Sequence, residues 1–509
     1  MPPTSPSPIS VAIAAIATTA RGDAALSQTT GGDPALADAY LIGGAVRDAL
    51  LGRPVTELDI ASPAPDATAA ALARALDSSV VPLGGPYNLR RVPIEGGWID
   101  VTPLAGTLAE DLARRDFTIN ALALPLTALP DRLEAIHRSE VIDQRDGLAD
   151  LDAHLIRQVS PAAIPDDPLR ALRAIRLATT LGCAIEADTE AAVRASAPSL
   201  PDVAAERVGE ELSQLFASQR AATGVRLLER TALLEVCFPE LIAGRGVDQR
   251  PHHTWDVLEH QLVALEWIDV LLASEPPEDE QAAAIWHLTW DTPWPDSSWG
   301  PARDHLEAHA PVLRLATLLH DIGKPSTRTV ESDGRTRFFH HGPRGADIAA
   351  DRLRAWRYPT RTIERVALLL EQHLRPAQVA ATGDLPSPTA LHRFHLRLGD
   401  ATPDVCLLFL ADSLATAGVQ QLLPRWPAYV AHVQRIACWH APPSARALAR
   451  IVDGHAVIEA TGLPPGPAIG DILEAIAEAA AAGEITDATE ALALARRLAS
   501  EVRQPPPTE

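Results

Sequence analysis

Arg114-Arg115-Asp116-Phe117-Thr118-Ile119-Asn120-Ala121 decides the reading of this chain because of what precedes it: Leu41-Ile42-Gly43-Gly44-Ala45-Val46-Arg47-Asp48 and then Glu57-Leu58-Asp59-Ile60. Tyr40-Leu41-Ile42 reads as a short strand running into a Gly-Gly turn, with a helix from Val46 to Leu51 ended by Gly52. Thr56 to Ala61 and Gly97 to Thr102 read as further strands. Residues i and i+2 of a strand project to one face. Glu57 and Asp59 therefore share a face, while Leu58 and Ile60 take the other. Two carboxylates so placed make a hard-oxygen site of the kind Mg²⁺ takes. Asp100, in Trp98-Ile99-Asp100-Val101, offers a third. An acidic pair alone is ordinarily a solvated strand face. Gly43-Gly44 changes that, since a glycine turn lets backbone N–H groups approach phosphate and a helix N-terminus favours negative charge.

The motif itself adds to this site. Arg115 suits a phosphate contact, although an Arg-Arg pair can equally lie on the surface. Asp116 and Asn120, four apart, share a face if helical and would hold a sugar or orient the arginines. Asp166-Asp167-Pro168-Leu169-Arg170-Ala171-Leu172-Arg173 opens the next helix, with Pro168 in its first turn and Asp166 as its cap. Asp167 and Arg170 are three apart on that helix. A carboxylate accepts from an exocyclic amino group, and a guanidinium donates to a ring nitrogen. Cytosine and adenine offer that pairing edge, whereas uracil and guanine present a carbonyl and a ring N–H. One Asp/Arg pair can thus select CTP and ATP with no template. Arg173 joins the nucleotide-binding set.

With these residues in place, the region from about Tyr40 to Phe216 resembles class II tRNA nucleotidyltransferases, the CCA-adding enzymes, and their poly(A) polymerase relatives. The matching elements are Gly43 to Asp48, Leu58-Asp59-Ile60-Ala61, Arg114 to Ala121, Asp143 to Leu151, Asp167-Pro168-Leu169-Arg170 and Glu206-Arg207-Val208. The resemblance implies an α+β fold: a nucleotidyltransferase palm with a small mixed sheet, then an extended all-α body. It implies catalysis by Glu57, Asp59 and Asp100 with Mg²⁺, and a triphosphate bracketed by Gly43, Gly44 and Arg47. Base reading falls on Asp167 and Arg170, with Arg207 shaping the neck. The implied reaction is template-independent transfer of C and A from CTP and ATP to a tRNA 3′ end. A-adding, CC-adding and poly(A) polymerase activities share these motifs and stay open. Two positions depart from the family pattern: Glu57 stands where Asp is usual, and Ala105 stands where an Arg is expected.

A second constellation lies downstream. Glu259-His260, Leu319-His320-Asp321-Ile322-Gly323-Lys324, His340-His341, Gln372-His373 and Ala411-Asp412 mix imidazole and carboxylate in a way that suits transition metals. The pattern resembles HD-domain metal phosphohydrolases. That resemblance assigns His260, His320, Asp321 and Asp412 to one divalent metal, and His341 (or its neighbour His340) with His373 to a second. Metal-assisted hydrolysis of phosphate esters is the activity it implies. A phosphohydrolase with a retired transferase head is a rival reading, and an RNA-binding protein without catalysis is a third.

The expected organisation is a disordered tail over 1–36, with a short extra helix as the alternative for the apolar run Ile9 to Ala20, a palm over 37–160, a helical neck over 161–245, an HD domain over 246–440 and a helical tRNA-docking domain over 441–509. From Pro161 onward no strand is expected. Pro and Gly make Glu275 to Asp304 an irregular insertion, and a helix opening at Gly470-Asp471 would present N–H groups to phosphate. A chain of 509 residues with net charge −22 argues against broad, non-specific nucleic-acid binding, so RNA must meet local arginine patches. Lys324 is the only lysine. Cys183, Cys237, Cys406 and Cys438 form no CxxC pair and read as buried thiols of a reducing cytoplasm. No apolar run is long enough to span a bilayer, so no membrane partner is expected.

Overall fold

Tyr40–Ile42 (β1), Leu58–Ser62 (β2), Val81–Leu83 (β3), Leu89–Ile94 (β4), Gly97–Pro103 (β5), Leu122–Pro125 (β6) and Ile142–Asp143 (β7) form one mixed sheet in the computed structural model, in the order β3-β4-β5-β2-β1-β6-β7. The structure describes residues 8–22, 32–83, 88–249, 254–291, 299–332, 335–379, 386–442, 445, 448 and 450–502. By contacts the chain divides into two units, residues 1–215 with 227–236, and residues 216–226 with 237–509.

In the first unit β2 and β5 run parallel, while β1 is antiparallel to β2 and β6. Alternation explains the two faces. Leu58, Ile60, Val92, Ile99 and Val101 are buried on one side, which the helix Pro65–Ala75 (third in the chain, after Pro8–Arg21 and Gly44–Leu50) covers. Asp59 and Asp100 point to the other side as cross-strand partners. Near them Ile42, Ala61 and Ala123 continue that second face as a small apolar patch, packed with Leu112, Ala121, Val159 and Ala163. β2 starts at Leu58, so Glu57 lies just before the strand and not within it.

Number these helices α1 (Pro8–Arg21), α2 (Gly44–Leu50), α3 (Pro65–Ala75) and α4 (Leu108–Ala113); α5 (Gly147–Asp152), α6 (Ala163–Asp166), α7 (Leu169–Leu181), α8 (Ala187–Ser196) and α9 (Ala205–Ala217) follow. α1 realises the short-helix alternative for the apolar run Ile9 to Ala20, in place of a loose tail. Ala12, Ile13, Ile16, Ala17 and Ala20 recur at helical spacing and are buried, each isoleucine contributing roughly 1.5–3 kcal/mol by burial. Strands do not end at Pro161 either. Leu155–Ile156 (β8) pairs in parallel with Ala184–Ile185 (β9), too short a match for a periodicity to reveal.

Among the described residues the second unit's only strands are the hairpin Arg328–Val330 (β10) and Thr336–Phe338 (β11), and its other elements are helices. Helices Val257–Leu272, Trp299–Leu319 and Thr402–Ala417 pack on one another, and His341–Ala355 packs on Thr360–Gln372. Part of the expected irregular insertion is helical: Glu280–Trp290 is capped by Asp279, whose carboxylate accepts from Ala282 N, and another helix starts at Trp299. Residues 292–298 of that insertion lie outside the described residues. At the C-terminal end Val457, Ile472, Ile476, Ala491 and Ala495 build a core of their own. The helix there opens at Pro467, not at Gly470, and proline has no N–H to present. Among the described residues no single helix is long and apolar enough to cross a membrane. Cys237 and Cys406 are buried, whereas Cys183 and Cys438 are only half-buried.

Candidate active site and a histidine-rich centre

Gly43 joins β1 to α2 with φ 71° and ψ −131°, a conformation open essentially to glycine alone. Its N–H donates to Leu122 O at 3.1 Å, tying the turn to β6. A Cβ on Gly43 would stand 3.2 Å from Nη1 of Arg115. Arg115 is thus held over the turn, its Nη2 donating to Asp111 at 3.0 Å while its buried Nε has no protein acceptor. Glu57 and Asp59 line the same cleft of about 580 Å³. Asp59 opens onto cleft water, but the surrounding walls and the charges of Asp100 and Glu57 outweigh the opposing Arg115, and its carboxyl is pushed up to about 6. A cluster of carboxylates in which Asp59 resists ionisation fits a divalent cation. Asp100 is engaged by Arg91 of β4, whose Nε and Nη2 donate to its two oxygens at 2.8 and 2.7 Å.

A chain of hydrogen bonds runs from this turn toward the neck. Arg47 donates from Nε and Nη2 to Asp48 and from Nη1 to Asn120 Oδ1 at 2.6 Å. Asn120 Nδ2 donates to Asp116 Oδ1 at 3.0 Å, and Asp116 Oδ2 accepts from Arg173 at 3.3 Å. Arg173 and Arg176 both donate to the buried carboxylate of Glu211. Burial alone would raise the Asp116 carboxyl, but Arg173, Asn120 and the Phe117 N–H hold it below the ordinary value. Asp116 and Asn120 do not share an α-helical face, because the segment between them is extended at Phe117 and only Thr118–Asn120 forms a 3-10 turn. Their side chains still meet, and what they orient is Arg47 and Arg173. The sequence reading did not single out Asp48, Asp111, Arg176 or Glu211. Glu211, four residues after Arg207, was findable only as an acidic residue on the apolar side of α9.

Asp167 and Arg170 line a second cavity of about 900 Å³ that shares Arg115, Asp116, Arg173 and Arg207 with the first. Asp167 precedes α7 instead of lying on it, and it takes the capping role expected of Asp166 by accepting from Leu169 N at 3.3 Å. The reason is Pro168, which keeps its predecessor extended. The other oxygen of Asp167 accepts from Arg207 at 2.9 Å. Arg170 donates to the carbonyls of Ala163, Arg114 and Arg115. Ala105 lies on the wall of this cavity, in the four-residue connection between β5 and α4.

In the second unit Asp321 sits between two groups. Its Oδ2 is 3.4 Å from His260 Nε2 and 3.3 Å from His320 Nε2; its Oδ1 is 3.4 Å from His341 Nε2 and 3.8 Å from His373 Nε2. Asp412 Oδ1 lies 3.0 Å from His260 Nε2. Paired imidazole nitrogens face each other at 3.2 Å (His260, His320) and 3.3 Å (His341, His373). The Nδ1 atoms of His320, His341 and His373 point to the carbonyls of Thr317, Phe338 and Leu370, which leaves Nε2 for the centre. His341, not His340, therefore faces inward; His340 has φ 60° and is exposed. Burial opposes charge on His320, yet Asp321 and Asp412 raise it to about 10; burial and the charge of His320 push His373 down to about 3. The buried Oδ1 of Asp321 has no hydrogen-bond donor. Facing nitrogens and an unmatched carboxylate oxygen fit divalent cations, which His260, His320 and Asp412 on one side and Asp321, His341 and His373 on the other would hold. Lys324, which the sequence reading quoted without a role, places Nζ 2.6 Å from Asp321 Oδ2 and donates to Gln249. A cavity of about 280 Å³ opens beside His341 and His373.

The chain matches the family models of the poly(A) polymerase head domain over residues 39–104 and 99–157, of the probable RNA- and SrmB-binding site of polymerase A over 182–244, and of the HD domain over 298–417. It is 36% identical over 465 residues to the CC-adding tRNA nucleotidyltransferase of Thermus thermophilus, covering 90% of this chain and 92% of that one. It is 35% identical over 471 residues to the A-adding tRNA nucleotidyltransferase of Deinococcus radiodurans, covering 91% and 96%. The crystal structure of the Bacillus stearothermophilus CCA-adding enzyme in complex with CTP has the same fold, with a TM-score of 0.57 at 23% identity over 98% of this chain and 100% of that one.

Proposed function

We propose that this chain, which belongs to the tRNA nucleotidyltransferase family, transfers C and A nucleotides from CTP and ATP to the 3′ end of tRNA and releases pyrophosphate. One observation carries the reading: the arginine-walled cleft of Gly43, Asp59 and Arg115 adjoins the cavity of Asp167 and Arg170, with Arg115, Asp116, Arg173 and Arg207 on the wall of both. Triphosphate and base of one nucleotide can then be met by a single row of side chains.

Each group has a task. The Gly43-Gly44 turn and Arg115 receive phosphate oxygens, and Asn120 fixes the Arg47 guanidinium beside Gly44. Glu57 and Asp59, with Asp100 beside them, would hold Mg²⁺, which supplies charge neutralisation and activation of the attacking hydroxyl when bound. Asp167 accepts from the exocyclic amino group and Arg170 donates to the ring nitrogen, once each exchanges its present partner for the base. Restriction to C alone or A alone is a second reading, favoured by the CC-adding and A-adding relatives at 36% and 35% identity. In the second unit His260, His320, Asp321, His341, His373 and Asp412 would hold divalent metals for phosphate-ester hydrolysis, with Lys324 holding Asp321 in place.

The test is addition of labelled CMP and AMP to tRNA transcripts that end before CCA, after C and after CC. Full CCA addition is the expected result, addition of one nucleotide type alone supports the second reading, and no addition to any end overturns both.

A further inference from the structure

Trp98 stands on the catalytic face of the sheet with no role in the scheme above. Cross-strand partners place Asp59 opposite Asp100, Asp100 opposite Arg91, and Trp98 opposite Pro93. Alternation along β5 puts Trp98, Asp100 and Thr102 on one face. Its neighbours Ile99 and Val101 are fully buried on the opposite face, yet Trp98 remains 39% exposed. The Arg91 guanidinium lies 4.3 Å from the Trp98 ring centroid while gripping Asp100. A large indole is thus kept in water, braced by an arginine, about 8 Å along the sheet from Asp59 by strand geometry.

Position gives this pair a meaning. Thr102 lines the cavity of Asp167 and Arg170, so β5 passes from the base-reading side at Thr102, through Asp100, to Trp98 on the far side. Nucleotidyl transfer proceeds with attacking and leaving oxygens roughly in line. The register puts the Gly43 turn and Trp98 at the same end of the sheet, on β1 and β5 with Asp59 of β2 between them, so a pyrophosphate leaving at the Gly43 turn is opposed by a hydroxyl on the β5 flank. Unpaired nucleic-acid ends bind by stacking bases on aromatic rings and guanidinium planes. On a chain of net charge −22, a stacking platform also needs less local positive charge than a phosphate grip does.

We propose that Trp98, braced by Arg91, is the primer platform: a nucleobase of the unpaired tRNA 3′ end stacks there and sets the terminal hydroxyl beside Asp59 and Asp100. The inference rests on the proposed transfer to tRNA. Trp98→Ala should raise the KM for a tRNA ending in CC by roughly 5- to 100-fold, the range of one base–aromatic stack, and leave the KM for CTP and ATP unchanged. Trp98→Phe should restore most of the loss and Trp98→Leu should not. The measurement that separates a platform from a mere shield of the Arg91–Asp100 pair is equilibrium binding. Wild type and Trp98→Ala should differ in affinity for tRNA with its unpaired 3′ nucleotides and agree for a tRNA trimmed of them. An unchanged tRNA KM, or an equal loss for the trimmed tRNA, overturns the platform while leaving transfer intact. Failure of the wild type to extend any tRNA overturns the functional reading, and the platform with it.

Discussion

Replacing Gly43 by alanine tests whether the turn and Arg115 form one device. Gly43 has φ 71° and ψ −131°, where a side chain costs about 1–3 kcal/mol. For a unit of about 150–250 residues this lowers Tm by roughly 2–12 °C. The new Cβ would also stand 3.2 Å from Arg115 Nη1, tighter than ordinary contact, so the guanidinium has to give by a few tenths of an ångström and its hydrogen bond to phosphate is loosened. Losing one charged hydrogen bond to phosphate is worth about 1.5–3 kcal/mol, or roughly 10- to 150-fold in nucleotide KM. Gly44→Ala is the control for strain. Gly44 is helical and its added Cβ would meet Arg47 Nη2 at 3.4 Å, so stability should hold or rise. The assays are thermal unfolding and steady-state kinetics with CTP and ATP varied at saturating tRNA. Gly43→Ala with wild-type Tm and wild-type nucleotide KM would refute the reasoning, because neither strain nor the Arg115 displacement would then exist.

Four further outcomes follow from the geometry. Asp59→Ala should abolish nucleotide addition and leave hydrolysis of a 2′,3′-cyclic phosphate intact, and Asp321→Ala should do the reverse, as paired end-point assays on each variant would read. The Asp59 carboxyl is pushed up to about 6, so it is protonated below that pH and ionised above. Protons and Mg²⁺ then compete below pH 6, and the Mg²⁺ concentration for half-maximal addition should fall as pH rises toward 6 and level off above it. Chelation should lower the Tm of the second unit, since His260, His320 and Asp412 on one side and His341 and His373 on the other face Asp321, and Mn²⁺, Co²⁺ or Zn²⁺ should restore it in a melting scan. Glu211→Gln weakens the anchor of Arg173 and Arg176, so it should raise nucleotide KM more than it lowers kcat.

How far the sequence reached depends on the kind of interaction. The strands β1, β2 and β5 and the helix opened by Pro168 are readable because alternation and helical spacing are local, whereas the pairing of Asp59 with Asp100 appears only in the fold. The helix α1 stays an alternative to a loose tail in the sequence because its flanks are rich in Ser, Thr, Pro and Gly, while Ile13 and Ile16 disclose their burial only through partners distant in sequence. Asp167 was misplaced by two residues, since periodicity cannot say that Pro168 would hold its predecessor out of the helix. His340 and His341 were inseparable in sequence; the left-handed φ of His340 at the start of its helix is what turns His341 inward. Arg91, Arg176 and Glu211 acquire their meaning through contacts between separate elements, and no local pattern marks them.

Selection of the base by Asp167 and Arg170 is the centre of this account, and one comparison tests it most directly: kcat/KM for CTP, ATP, UTP and GTP on tRNA ending before CCA and after CC, in wild type and in Arg170→Ala. Wild type should favour CTP or ATP over UTP and GTP by roughly 10⁴-fold, as a site that hydrogen-bonds the discriminating edge does, and Arg170→Ala should erase most of that preference. Discrimination that survives Arg170→Ala unchanged would contradict the account and move base selection to other residues.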